Sequence, residues 1–302
     1  MNSLIKMCGK DIRVRGGLIR TAHLEGEKYV FLEDPESVLE AARECTTRID
    51  LFTFIQRLPD TTPKHLYPME WDNFAAMPVT SFDRWWTTQI SKKTRNMVKQ
   101  AEKKGVVVRE VSFDDALVKG IWEVYNESRV RQGEPNSHYG KDLKTVHREE
   151  ATFLECSTFI GAFYEGSLIG FVKLVVDETR TQAGLLNIVS MIRHRDKAPT
   201  NALIAQAVRT CAERGIPHLT YANFAYGKKR QSSLADFKER NGFLRIDVPR
   251  YYVPLTRAGR LAFRLGLHRR FVDRLPASVA SKLRVLRSAW YNRKFPSAIQ
   301  PV

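Results

Sequence analysis

A strand that runs through a short basic loop into a long helix constrains this chain more than any other feature. Such a unit fixes where a sheet ends and where an anion can sit. Residues 185–191, Leu-Leu-Asn-Ile-Val-Ser-Met, are apolar and partly β-branched, the composition of a strand inside a sheet. The loop Arg193-His194-Arg195-Asp196-Lys197-Ala198-Pro199 is basic and closes on a proline. A helix is expected next, capped by Thr200 or Asn201. Its apolar positions Ile204, Ala207, Val208 and Cys211 fall at i, i+3, i+4 and i+7 on one face, and Gly215 stands where it should stop. Free backbone N–H groups at a helix start, aligned with the helix dipole, attract phosphate. Arg193, Arg195 and Lys197 surround this start with positive charge. The plain alternative is an ordinary strand–helix unit with a solvated basic loop.

The remaining pattern supplies a sheet around that unit. Residues 11–32 alternate weakly around a Gly16-Gly17 turn signal and read as one or two short strands. Residues 35–44 read as a helix with Val38, Leu39 and Ala42 on one side, and 51–55 as a buried strand. Residues 59–68 hold three prolines and read as loop, 74–79 as another strand, and Ser81 as the cap of a helix carrying Trp85, Trp86 and Ile90. A basic amphipathic helix is expected over 91–105, with Met97, Val98 and Ala101 inward and Gly105 as its stop. Then come a strand at 106–111, helices at 114–131 and 143–154, and a hairpin of 158–164 with 168–176 around Glu165-Gly166. Strands at 218–224 and 244–255 follow, the latter closing the sheet. The order predicts an α+β chain: a mixed central sheet flanked by helices, a smaller N-terminal α/β portion and a basic helical C-terminal tail.

Two stretches carry a resemblance. Arg195-Asp196-Lys197-Ala198-Pro199-Thr200-Asn201-Ala202-Leu203-Ile204 resembles the acyl-CoA pyrophosphate loop and following helix of the GNAT acyltransferases. The usual form is Arg/Gln-x-x-Gly-x-Gly/Ala, and its two small positions hold Ala198 and Thr200 here, whose side chains hinder close approach of a pyrophosphate to the backbone. Ser233-Leu234-Ala235-Asp236-Phe237-Lys238-Glu239-Arg240-Asn241-Gly242-Phe243 resembles the last GNAT helix, which commonly ends in Gly-Phe. Lys238 stands where a tyrosine often serves as general acid. A Phe-Lys pair at this point is similar to the Fem (peptidoglycan-bridge) aminoacyltransferases and their FemAB-like relatives, which also carry a basic helix before the transferase half.

The resemblance covers about residues 91–255 and implies a GNAT-like acyltransferase domain there, with 1–90 as a truncated GNAT-like half and 256–302 as the tail. It places the donor near Val189, Ser190 and Met191, where two strands splay apart, with Arg193, Arg195, Lys197, Thr200, Asn201 and Asn223 as its other contacts. It places Tyr125, Arg129, Arg131 and Tyr139 beside the acceptor cleft. Lys238 and Ser190 are the candidate catalytic residues; a lysine there can stabilise an oxyanion or a donor phosphate, or carry a proton if burial lowers its pKa.

Charge is the unusual quantity in the composition. The 302 residues carry +16 with a pI near 9.8. Residues 256–302 hold eleven Lys and Arg against one acid, Asp273, a net +10, so most of the excess is in the tail. That concentration favours an anionic partner such as tRNA, an acidic membrane surface or a phosphorylated substrate. Cys8, Cys45, Cys156 and Cys211 are scattered, and neither they nor the seven histidines have metal-ligand spacing. No metal is expected, and a cytoplasmic protein, peripheral to the inner face of the membrane, is. Two functions stand: an N-acyltransferase taking an acyl or aminoacyl group from acyl-CoA (acetyl-CoA) or aminoacyl-tRNA to an amine-bearing acceptor, and a catalytically silent GNAT-type module binding tRNA or an anionic membrane through its tail.

Overall fold

Alternating apolar residues build the first third of the chain into sheet. A computed structural model describes residues 2–131, 134–225 and 232–269. Strands β1 (Asn2–Met7) and β2 (Lys10–Arg15) pair antiparallel about Cys8 and Gly9, both at positive φ. That tight turn adds a strand the sequence pattern missed. β3 (Thr21–Leu24) follows, and Ile12, Val14, Ala22 and Leu24 face the core. Helix α1 (Pro35–Glu44) is capped by Asp34 and buries Val38, Leu39 and Ala42 over β4 (Leu51–Ile55), which lies parallel to β3. β5 (Met69–Pro78) starts five residues earlier than its apolar run.

The expected tryptophan helix is a short α2 (Phe82–Arg84) that widens into a π-helical turn, Trp85–Gln89. Thr87 and Thr88 donate their hydroxyls back to the carbonyls of Asp83 and Arg84 at 2.7 and 2.6 Å, a habit that distorts helices. Helix α3 (Lys92–Lys103), capped by Ser91, leads to β6 (Val107–Val111) and α4 (Asp115–Asn126). Beyond α4 the chain forms a two-stranded ladder, β7 (Val130–Arg131) with β8 (Glu134–Pro135), rather than continuing as helix to 131. Helix α5 (Leu143–Glu150) also ends early, at a turn where Phe153 is left-handed. The hairpin β9 (Ser157–Tyr164) with β10 (Ser167–Val176) turns at Glu165 and Gly166, as expected. Then follow β11 (Ala183–Ser190), a 3₁₀ segment Ile192–Lys197, α6 (Pro199–Glu213), β12 (His218–Thr220), α7 (Ser233–Arg240), β13 (Leu244–Pro254) and α8 (Arg257–Arg264).

Eleven strands make one mixed sheet in the order β1-β2-β3-β4-β13-β5-β12-β11-β10-β9-β6. β13 does not close the sheet at its edge. It lies between β4 and β5, pairing antiparallel with both, so the last strand completes the N-terminal portion and no gap in the sheet falls near residue 90. Helices α3 and α6 cover one face over Ile160, Val172, Leu174 and Leu185, while α4 and α5 cover the other over Phe159, Phe171 and Met191. α6 buries Leu203, Ile204, Val208 and Cys211, worth about 1.5–3 kcal/mol for each large side chain. Among the described residues no helix is long and apolar enough to cross a membrane.

In the tail, Leu261, Leu265 and His268 share one side by spacing and would be expected to pack on the domain. His268 does, with Gly259, Ala262 and Phe263, whereas Leu261 and Leu265 face outward. Val279, Leu283, Leu286 and Trp290, which repeat at helical spacing after Pro276, lie outside the described residues.

Candidate functional site

The site begins where two neighbouring strands part. β11 pairs parallel with β12 at only two positions, Ala183 with Leu219 and Gly184 with Thr220. Beyond them the chain after β12 stays on β5: Tyr221 N–H donates to Ala75 O at 2.7 Å and Ala75 N–H to Ala222 O at 2.9 Å. β11 stays on β10 instead, with a bulge at Leu186, so residues 186–190 are half-buried along one wall of a cleft. The opposite wall is the segment 221–225, where Ala222 is left-handed.

Lys238 is built into that second wall. It sits on α7, which Ser232 caps by accepting from Ala235 N–H at 3.1 Å. The side chain is 0% exposed, and its ammonium donates to the carbonyls of Tyr221 at 2.9 Å and Asn223 at 2.6 Å while lying 4.4 Å from the Tyr221 ring centre. Burial, with a smaller push from Lys28, lowers its pKa to about 8. The Asn223 side chain is held by charged neighbours: its amide oxygen accepts from Lys28 at 2.6 Å and its amide nitrogen donates to Asp72 at 2.9 Å.

Lys28 and Tyr29 are site residues the sequence did not signal. They lie in the turn after β3, where Lys28 takes φ 85°, a conformation costly outside glycine. Tyr29 enters the parting itself: its hydroxyl donates to Leu185 O at 3.4 Å, and a Cβ on Gly184 would stand 2.4 Å from its ring. Burial lowers the Lys28 pKa to about 8 against the opposing pull of Asp72. Asp72 is held below the carboxylate range by Lys28 and Arg250, which outweigh its own burial. Arg250 joins Asp72 at 2.8 Å and also pairs with Glu27, completing a charged network across β5 and β13.

The expected anion site at the start of α6 is largely satisfied from within. Neither Thr200 nor Asn201 caps the helix. The cap is Ala198, left-handed with φ 51° and without a side-chain bond, and Pro199 at the first turn has no N–H. The carbonyl of Ala198 accepts from Asn201 and Ala202 at 3.2 and 3.4 Å. Thr200 instead shares a 2.7 Å hydroxyl bond with Ser190, and Asn201 donates to Asn241 at 3.1 Å, tying α6 to the end of α7. Ahead of the helix, the Glu127 carboxylate accepts from the N–H groups of Ile192 and Arg193 at 2.7 and 2.8 Å. A chain carboxylate thus occupies the loop donors that a phosphate would use. Arg193 and Arg195 are exposed, and Lys197 lies 4.5 Å from the Tyr164 ring centre beside Asp196.

The residues expected around an acceptor are dispersed. Arg131 does reach the cleft wall, donating to Ser190 O at 2.8 Å and Val124 O at 3.2 Å. Arg129 and Tyr139 form a surface pair, 3.1 Å from Nε to hydroxyl. Tyr125 is fully buried and donates to Glu150 at 2.7 Å, under His138, whose ring stacks at 4.0 Å. Met191 is core, and Val189 packs against the same cluster. Glu150 also accepts from Asn187 on β11 at 2.9 Å, while its Oε2 is buried without a hydrogen-bond partner, and burial raises its pKa. Sequence spacing had not pointed to Glu150 or Glu127.

No protein-family model matches the chain, and no curated protein matches it. Solved structures match its fold. The C-terminal domain of a protein assigned as a lysylphosphatidylglycerol synthetase from Agrobacterium fabrum is 15% identical with a TM-score of 0.55, covering 87% of each chain. FemX is 10% identical with a TM-score of 0.60, over 88% of this chain and 89% of its own. L-PGS from Bacillus licheniformis is 15% identical with a TM-score of 0.56, over 89% and 90%. At these identities the likeness is one of fold. The chain shares the fold of FemX and of the two lysylphosphatidylglycerol synthetase structures.

Proposed function

We propose that this chain transfers an aminoacyl group from aminoacyl-tRNA to an amine, with the donor ester in the cleft between β11 and the segment after β12. The observation that carries the reading is the parting of β11 from β12 after two paired residues, with the buried Lys238 ammonium in the wall. The amine nitrogen attacks the ester carbon, a C–N bond forms, and the ester C–O bond breaks to a ribose hydroxyl. The proton lost by the amine matches the one gained by the leaving oxygen. Lys238 supplies fixed positive charge in a low-dielectric wall, where a developing oxyanion is stabilised most. Asn223 and Lys28 belong to the same wall as Lys238, Tyr29 lies in the parting, and Ser190 is held by Thr200 and Arg131 as part of β11's wall.

The helix start favours this donor over acyl-CoA. Pro199 removes one donor, Ala198 takes that of Asn201, and Glu127 fills the loop ahead of the helix, so fewer donors remain for a pyrophosphate. The second reading is a non-catalytic module, favoured by Tyr29 lying in the parting. Both readings put the protein in the cytoplasm, with the basic segment from residue 256 toward an anionic partner. The test is discharge of a pool of radiolabelled aminoacyl-tRNA in the presence of small amines, run beside thiol release from acetyl-CoA. Amine-dependent discharge supports the proposal. Thiol release would move the donor to CoA, and binding of charged tRNA without discharge would leave the module.

A further inference from the structure

Helix α8 and the turn that follows it present their leucines to the outside, while Phe263 packs inward. Small residues make its inner face: Ala262 is buried, and Gly259 lies so close to Asp50 that a Cβ would stand 1.8 Å from that carbonyl oxygen. Phe263 and His268 stack on each other and pack tilted against Tyr252, His268 reaches Glu70 at 3.0 Å, and Thr256 caps the helix while donating to Asp50 at 2.7 Å. The helix is therefore docked firmly through residues that bury little apolar area. Leu261, Leu265 and Leu267 remain 58%, 62% and 44% exposed, beside the exposed Arg257, Arg260 and Arg264.

We propose that this face of α8 docks on an anionic lipid bilayer, the leucines entering the headgroup boundary and the arginines meeting lipid phosphates. The proposal deepens the reading of the basic tail by naming the surface, and it rests on α8 geometry rather than on the transfer chemistry. Charge complementarity selects the occupant. Residues 270–302 carry seven Lys and Arg against one Asp, so folding that segment over α8 would set like charges together, whereas an acidic bilayer attracts both. A nucleic acid would pair with the arginines but give the leucines nothing, because its backbone contacts are polar. Exposed leucines flanked by arginine are the composition of an interfacial helix.

The test uses the full chain, sedimented with phosphatidylcholine vesicles with or without phosphatidylglycerol, at low and high salt, with tRNA binding measured in parallel. Binding is expected only with phosphatidylglycerol and should weaken with salt. Leu261→Ser with Leu265→Ser should lower vesicle affinity about tenfold per leucine and leave tRNA binding and the melting temperature unchanged. Arg260→Gln with Arg264→Gln should lower it about fivefold per arginine at low salt. Wild-type vesicle binding by the leucine variant would overturn the proposal by reducing it to charge alone. A fall of several degrees in that variant's melting temperature would overturn it by showing that the chain itself covers the leucines. Binding to tRNA but not to vesicles would assign the face to nucleic acid. Aminoacyl discharge in vesicle-free solution is a separate readout, so failure of docking and failure of the transferase reading are told apart.

Discussion

Replacing Lys238 by methionine separates what this lysine does for folding from what it does for chemistry. The lysine amine is fully buried, and its pKa falls from 10.5 to about 8. Holding it charged at pH 7 therefore costs on the order of 3 kcal/mol. Against that stand two charge-assisted hydrogen bonds, to the carbonyls of Tyr221 and Asn223, each worth about 1.5–3 kcal/mol. Methionine keeps the length, removes the charge and leaves those carbonyls without this donor. Relief offsets much of the loss at pH 7, and the variant should be less stable than wild type by no more than about 3 kcal/mol.

The pH dependence is sharper. The folded pKa lies below the unfolded one, so between about 8 and 10.5 the unfolded chain holds more protons and wild-type stability rises with pH. From pH 7 to pH 10 this lysine should add about 2–3 kcal/mol to wild type and nothing to Lys238→Met. Urea unfolding followed by tryptophan fluorescence at both pH values measures this, and tyrosine titration is common to both proteins and cancels in the difference. Turnover at pH 7 should fall about a hundredfold, the scale of losing one oxyanion donor. Stability curves that stay parallel between pH 7 and 10 would refute the buried-cation argument, and full turnover would refute its catalytic part.

Gly259→Val should destabilise the chain by several kcal/mol in urea unfolding, since its Cβ would collide with Asp50 O and lift α8. Glu127→Ala should cost about 1–3 kcal/mol and create measurable pyrophosphate binding by calorimetry; unchanged affinity would show that the Ile192 and Arg193 N–H groups are no anion site. Glu150→Gln should be more stable than wild type at pH 8, with the gap closing toward pH 4. Its folded pKa is raised, so wild-type stability is fully present below the unfolded pKa near 4.5 and is lost as pH rises through the folded one. Thermal melts across that range decide it.

The elements were legible where periodicity and local punctuation agree. Helix α1, strand β4 and the β9–β10 hairpin follow directly from an apolar face of Val38, Leu39 and Ala42, a β-rich run and a Glu-Gly turn. The place of β13 was not, because its burial pattern is as compatible with closing an edge as with insertion between β4 and β5; the choice belongs to pairings some 170–200 residues apart. The same limit hid half of the cleft. Ser190, Thr200 and Lys238 are close in sequence to the unit that named them, and the fold does draw Ser190 to Thr200. Lys28 meets Asn223 across 195 residues, and Asp72 meets Arg250 across 178. No local pattern marks such residues.

The helix-cap expectation failed for a different reason. Thr200 and Asn201 are good caps by type, but each has a longer-range partner, Ser190 and Asn241, that holds two walls of the cleft together. The cap passes to Ala198 in a left-handed conformation that an alanine does not favour. Strain recurs around the same cleft: Lys28, Phe153, Ala198 and Ala222 all have positive φ. Each departs from what local sequence prefers, and such departures persist only where surrounding structure over-determines them. The Ser190–Thr200 tie holds the end of β11 to the start of α6, and Tyr29 meets the same strand at Gly184 and Leu185, so both walls of the proposed site are fixed by contacts that local sequence does not signal.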